Sequence, residues 1–419
     1  MGRSTNRRSA LKAFGLLAGA AGGPAGFAAV GPLQEQGSVP ERILARPRDS
    51  GAPGHEIVLG RSDEMYPRHS EGDLAVLPDG RLLAVWTRFR GSSDFATAEL
   101  VGRTSEDRGR SWGALFSVAS LSEPFHRQNT NLMSASLWPL PGSGRLLMVY
   151  LGKGATNPDA PTAERRLRCS VYGRYTADGR NFGEPFAISD LGHYFVVNNA
   201  RVIQLSKGRL LVPCAVDLRP GHEFEWGLQS CLTYFSDDEG KTWRQGKACS
   251  LRPERFPSVE SGRLTLQEPG LIELRDGRVL MIIRTRLGHP YHCFSEDGGE
   301  SWSEPGPIVP IVAPASPQTL FRLPGSDRII MVYNNSPKGA EAAWSDRRPL
   351  AFATSRDEGR TFEFRKTVEE KEGRAWSYPS CRPFEDQVLL GYYEWMQGSA
   401  NFFFTDFKLS LIPRAWFES

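Results

Sequence analysis

Six times along this chain an apolar run meets a tight polar turn and then a second apolar run. The pairs span residues 74–86 around Pro78-Asp79-Gly80, 133–150 around Gly142-Ser143-Gly144, and 202–213 around Ser206-Lys207-Gly208. They continue at 271–283 around Arg275-Asp276-Gly277, 320–333 around Gly325-Ser326-Asp327, and 383–393 around Glu385-Asp386. Short β-rich runs joined by Gly and Asp turns predict β-hairpins. Outside the N-terminus no segment carries a sustained apolar stripe of helical period, so the expected class is all-β.

A second polar pattern runs in step with the hairpins. Ser236-Asp-Asp238-Glu-Gly240-Lys-Thr242-Trp243 recurs as Ser105-Glu-Asp107-Arg-Gly109-Arg-Ser111-Trp112, Ser295-Glu-Asp297-Gly-Gly299-Glu-Ser301-Trp302 and Ser355-Arg-Asp357-Glu-Gly359-Arg-Thr361-Phe362. A shortened copy reads Thr176-Ala-Asp178-Gly-Arg-Asn-Phe182. Its aspartates lie 71, 60, 59 and 60 residues apart. Each copy has the chemistry of a turn: an Asp to accept backbone N–H groups, a Gly for a left-handed position, and an aromatic to enter the adjacent core. These aspartates are therefore read as scaffold. Six hairpins, most followed by such a turn, describe six four-stranded antiparallel units, and radial closure of such units is a six-bladed β-propeller.

Such a body takes up residues 56–419, which leaves no room for a second catalytic domain. The start, Asn6-Arg7-Arg8-Ser9-Ala10-Leu11-Lys12 followed by a weakly apolar Ala/Gly run over 13–29, has the form of a twin-arginine export signal cleaved near Phe27-Ala28-Ala29. The Gly-rich run, broken by Pro24, is a poor permanent membrane span, so no membrane association is expected after cleavage. Residues 30–55, rich in Pro, Gly and Arg, read as a flexible lead-in.

Removing residues 1–29 takes away four cations and no acid, so the net charge of +3 falls to −1. With no basic stripe left, a nucleic-acid partner is not expected. Six cysteines are scattered without CxxC spacing, which excludes a zinc framework and leaves disulfides possible but not required. No metal-ligand motif or phosphate loop is present, and no cofactor is expected.

Residues equally far from a hairpin turn on its two arms come together at the open end. Counting eight either way from Asp276 reaches Glu268 and Arg284. The same count around Asp386 reaches Tyr378 and Glu394, and around Asp79 it reaches Glu71 and Thr87, with Arg68 and Arg90 three further out and Asp94 in the loop beyond. Equivalent ends of all units face one side of a propeller, so Arg68, Asp94, Glu268, Arg284, Tyr378 and Glu394 should surround one pocket.

This ordered set, together with the octapeptides, resembles the sialidase (neuraminidase) superfamily of six-bladed propellers over residue 56 to the C-terminus. The resemblance implies an arginine triad of Arg68, Arg284 and Arg347, with Arg348 as the alternative third member. It implies Asp94 as acid/base, Tyr378 as nucleophile, Glu268 as the carboxylate beside the nucleophile, and Glu394 as the acid that holds the first arginine. Asn131, His193, Asn198 and Asn199 become candidate contacts for the sugar. One departure is Tyr66-Pro67-Arg68-His69-Ser70-Glu71-Gly72-Asp73, where two acids follow the first arginine.

The implied activity is that of an exported hydrolase removing a terminal sialic acid or related 2-keto acid sugar, with retention through a tyrosyl-sugar intermediate. The expected partner is a sialylated or other acidic glycan. Three guanidinium groups suit a carboxylate on the anomeric carbon. A neutral phenol approaches that carbon without the repulsion a carboxylate nucleophile would meet. The rival expectation is a non-catalytic propeller that captures an acidic glycan without cleaving it.

Overall fold

The octapeptide turns are built alike. Asp107 Oδ1 accepts the Ser111 N–H at 2.8 Å and the Ser105 hydroxyl at 3.0 Å, while Ser105 Oγ accepts the Gly109 N–H at 2.9 Å. Asp238, Asp297 and Asp357 each accept the corresponding N–H at 2.9 Å. The shortened copy closes on Asp178, which accepts the Asn181 N–H at 2.8 Å. Gly359 shows why this turn needs glycine: its φ is +81°, and a Cβ there would meet Leu280 Cδ2 at 2.2 Å. Trp112 and Phe362 are buried between sheets, as the turn chemistry predicts.

The computed structural model describes residues 42–155, 167–190, 192–217, 229–343, 346–398 and 404–419. The chain is all-β in a propeller arrangement, and all six expected hairpins form, closing at Val76↔Leu82, Leu140↔Arg145, Gln204↔Leu210, Glu273↔Val279, Arg322↔Ile329 and Phe384↔Gln387. Among the described residues the only α-helix is Arg414–Glu418, and no helix is long and apolar enough to cross a membrane.

Six separate four-stranded sheets were expected, and the hydrogen bonding differs. Four sheets of four or five strands stand apart among the described residues, beside a two-stranded ribbon and one eight-stranded sheet. The larger sheet joins the first two units through the parallel pair Ala98↔Asn131, where the open ends of neighbouring hairpins touch. The last sheet draws a strand from the other end of the chain. His55–Gly60 pairs with Asp406–Pro413, so the ring closes by hydrogen bonds between distant segments.

The expected signal at 1–29 lies outside the described residues, as does 30–41 of the lead-in. Residues 42–55 correct the flexible reading, because Ile43–Leu44 pairs with Ser111–Trp112 and Arg46–Pro47 pairs with the strand His55–Gly60. Arg48 is held further by an ion pair to Glu369 at 3.0 Å.

One irregularity positions the site. In four hairpins two residues of the first arm face one of the second: Glu71-Gly72 between Ser70↔Thr87 and Asp73↔Val85, Ser134-Ala135 between Met133↔Leu151 and Ser136↔Val149, Glu268-Pro269 between Gln267↔Arg284 and Gly270↔Ile282, and Tyr378-Pro379 between Ser377↔Tyr393 and Ser380↔Gly391. The first residue of each pair is left-handed, with φ of 52°, 62°, 47° and 59°. Such bulges re-aim a side chain, and left-handed non-glycine residues persist only where the surroundings hold them.

Candidate active site

Three of these four bulges present Glu71, Glu268 and Tyr378, and the fourth presents Ser134; all four line one cleft. Its volume is ≈ 560 Å³ counted out to solvent, and its lining also includes the charged Asp94, Lys153 and Arg284 and the apolar Met133, Leu151, Val196 and Val197. The Tyr378 hydroxyl donates to Glu268 Oε1 at 2.6 Å, and Arg284 Nη1 donates to Glu268 Oε2 at 2.6 Å. Arg284 Nη1 also lies 3.5 Å from the phenol oxygen. Burial alone would raise the Glu268 carboxyl, but Arg284, the Tyr378 hydrogen bond and Arg347 outweigh it and hold it below its ordinary range. Burial and the Glu268 charge push the Tyr378 phenol well above its ordinary value.

Arg68 is 1% exposed and sits over the Phe89 ring at 4.3 Å. It donates to Asp94 Oδ1 at 2.6 Å and to Glu71 Oε1 at 3.0 Å. Burial would raise Asp94, yet Arg68 and Lys153 hold its carboxyl down at about 2. Glu71 goes the other way: burial, aided by Asp94 and opposed by Arg68, pushes it up to about 7. The two acids thus divide one arginine between them.

Of the two candidates for the third arginine, Arg347 is the one that lies beside Tyr378. It is buried, its Nη1 donates to Ser377 Oγ at 2.9 Å, and its guanidinium carbon lies 5.5 Å from the Tyr378 ring centre. Arg348 is directed elsewhere, with its side chain 41% exposed and its Nε 3.9 Å from Asp346.

Glu394 is a correction. Its carboxylate accepts from Trp376 Nε1 at 2.8 Å and Lys408 Nζ at 3.2 Å and lies 3.9 Å from Arg374, while the acids paired with Arg68 are Glu71 and Asp94. Counting around Asp386 sets Tyr378 opposite Glu394, whereas Trp376 is the residue paired there: the turn closes at Phe384↔Gln387, centred half a residue earlier, which moves the pairing by one, and the bulge moves it by one more. A single extra residue changes which side chains share a face.

The asparagines build the site's frame. Asn131 Nδ2 donates to Ala96 O at 2.7 Å and so holds the loop that carries Asp94. Asn199 Nδ2 bridges Gly72 O at 2.7 Å and Tyr378 O at 3.2 Å, tying two bulges together. Asn198 lines the cleft, with its buried Nδ2 lacking an acceptor among the described residues. His193 is exposed and lies outside the cleft lining.

Sequence reasoning missed Lys153, which is buried and donates to Asp94 O at 3.0 Å. Lys153 pairs with Asn131 only after the register shift between Val149 and Leu151, which counting from the turn does not reveal.

Repeat and fold together define a β-propeller of the repeat-turn class. The chain belongs to the BNR repeat-like domain family, whose model matches residues 78–390, within the sialidase superfamily. A sialidase from Micromonospora viridifaciens is 24% identical over 282 residues, covering 61% of this chain, and the match spans 40% of that relative's length. Among solved structures, a protein of unknown function from Dyadobacter fermentans superposes with a TM-score of 0.64 at 16% identity, covering 89% of this chain and 99% of the other. The sialidase of Trypanosoma rangeli, in complex with 2,3-difluorosialic acid as a covalent intermediate, superposes with a TM-score of 0.62 at 14% identity, covering 86% and 59%.

Proposed function

We propose that this protein is an exo-α-sialidase-like glycoside hydrolase that removes a terminal sialic acid, or a related 2-keto acid sugar, with retention of configuration. The observation that carries the reading is the buried pair of Tyr378 and Glu268, 2.6 Å apart, with Arg284 on the far carboxylate oxygen. In this reading Arg68, Arg284 and Arg347 receive the sugar carboxylate. The Tyr378 oxygen bonds to the anomeric carbon as its proton passes to Glu268, and the glycosidic bond breaks as Asp94 protonates the leaving oxygen. Water then attacks the same carbon, Asp94 takes its proton, the tyrosyl bond breaks and Glu268 returns the proton to the phenol.

Asp94 is ionised in the resting site because Arg68 faces it. A substrate carboxylate that draws on the Arg68 charge lifts Asp94 towards the protonated form, which couples acid catalysis to carboxylate recognition. The Trypanosoma rangeli sialidase, a fold neighbour described as a covalent intermediate, supports this order of events by analogy.

Six blades are counted in this reading, with the eight-stranded sheet dividing at the Ala98↔Asn131 pair. The twin-arginine motif supports export in the folded state, and N-terminal sequencing of secreted protein tests it. The deciding experiment for activity is release of fluorophore from an α-sialoside by the wild-type chain. Tight binding of an unsaturated sialic acid analogue without any release would replace the hydrolase reading with a glycan-binding one.

A further inference from the structure

Arg201 is a buried charge that the reaction above does not use. It follows Ala200, another left-handed residue with φ of 57°, and is itself 1% exposed. Its neighbours come from the strands that open three other units. The Arg201 N–H donates to Ser136 Oγ at 2.7 Å, Nη1 donates to Thr319 Oγ1 at 3.0 Å, and a Cβ added to Gly270 would lie 3.0 Å from Nη1. Thr319 in turn donates to Pro379 O, beside Tyr378. Arg201 therefore stands in the middle of the ring, behind the cleft.

Nε and Nη2 of Arg201 are buried and have no acceptor among the described residues. These two N–H groups lie on one edge of the guanidinium, the parallel pair that grips an anion side-on. Among the described residues no carboxylate pairs with it. The acids whose charge it feels are Glu268 and Asp73, and both are engaged: Glu268 by Arg284 and Tyr378, and Asp73 by the Ser380 hydroxyl at 2.6 Å and the Leu137 N–H at 2.8 Å. Burial lowers the Arg201 pKa to about 10, which still leaves it charged at neutral pH. A desolvated cation without a counter-ion carries a large penalty.

We propose that the Nε/Nη2 edge of Arg201 holds a small monovalent anion of the halide class, enclosed in the centre of the propeller behind the Tyr378–Glu268 pair. A water molecule would satisfy the two donors but leave the charge unbalanced.

The test is crystallisation of the wild-type protein in sodium bromide with anomalous data collection. The expected result is a bromide peak within hydrogen-bond distance of both nitrogens. A water-sized peak there without anomalous signal would overturn the proposal. In parallel, thermal melting of the wild-type chain in chloride should lie above that in gluconate at equal ionic strength, and Arg201→Met should lose this difference. An equal halide effect in the variant would also overturn it. Neither readout involves turnover, so their failure leaves the hydrolase reading untouched.

Discussion

Tyr378 and Glu268, 110 residues apart in the chain, meet in a 2.6 Å hydrogen bond from phenol to carboxylate, each at the left-handed position of its own bulge. If that phenol is the nucleophile, Tyr378→Phe should lower kcat on an α-sialoside by about 10³-fold or more while leaving affinity for an unsaturated analogue within a few fold. Turnover retained by the variant at near wild-type rate would refute the assignment.

The two neighbouring arginines separate recognition from surface charge. Arg347→Ala should weaken binding of the sugar carboxylate by about 10- to 100-fold, the loss expected for one charge-assisted contact. Arg348→Ala should change it by less than about twofold. Isothermal titration with the analogue reads both, and a reversed order would transfer the role to Arg348.

Glu71 supplies a pH signature. Burial, aided by Asp94, lifts its pKa from the ordinary 4.5 to about 7, so the folded state binds this proton more tightly than the unfolded chain does. That contribution to stability is complete below about pH 4.5 and is lost as pH rises through 7. Glu71→Gln removes the titration. Urea unfolding should therefore show wild type losing stability relative to the variant between these values, and a pH-independent difference would contradict the shift.

Asn199 holds two bulges with one amide, at 2.7 Å to Gly72 O and 3.2 Å to Tyr378 O. Asn199→Ala should cost about 1–3 kcal/mol by leaving buried carbonyls unmade. It should also lower kcat, because Tyr378 would no longer be held in its left-handed position. Denaturant midpoints and kinetics together check this, and a loss of stability with kcat unchanged would separate the frame from the chemistry.

The turn aspartates should behave in the opposite way. Asp107 accepts from Ser105 and Ser111 and is not among the residues lining the cleft. Asp107→Ala should cost about 1 kcal/mol of stability with little effect on kcat. A large kinetic defect at unchanged stability would return these acids to the chemistry.

Much of the site was legible in the chain. Glu268, Arg284 and Tyr378 were reached by counting outward from turns, with Arg68 three residues further out and Asp94 in the loop beyond, because Gly, Asp and Ser mark a turn through local chemistry that survives in any context. The count failed at Glu394, where the paired residue is Trp376. It also missed Lys153 as the support for the Asp94 loop.

What the sequence determined by itself was the scaffold: repeat, hairpins, all-β class, and the acids that belong to turns such as Asp107 and Asp238. Those features rest on interactions within a few residues. Only the tertiary structure buried Arg347 beside Tyr378 while leaving Arg348 part-exposed, set Glu71 and Asp94 instead of Glu394 on Arg68, and left Arg201 buried without a carboxylate partner among the described residues. Each of these depends on bulge register and on charges from other blades. A left-handed φ at Glu71, Glu268 or Tyr378 leaves no mark in the alternation of apolar and polar residues, because packing and clamps such as Asn199 impose it from outside the strand.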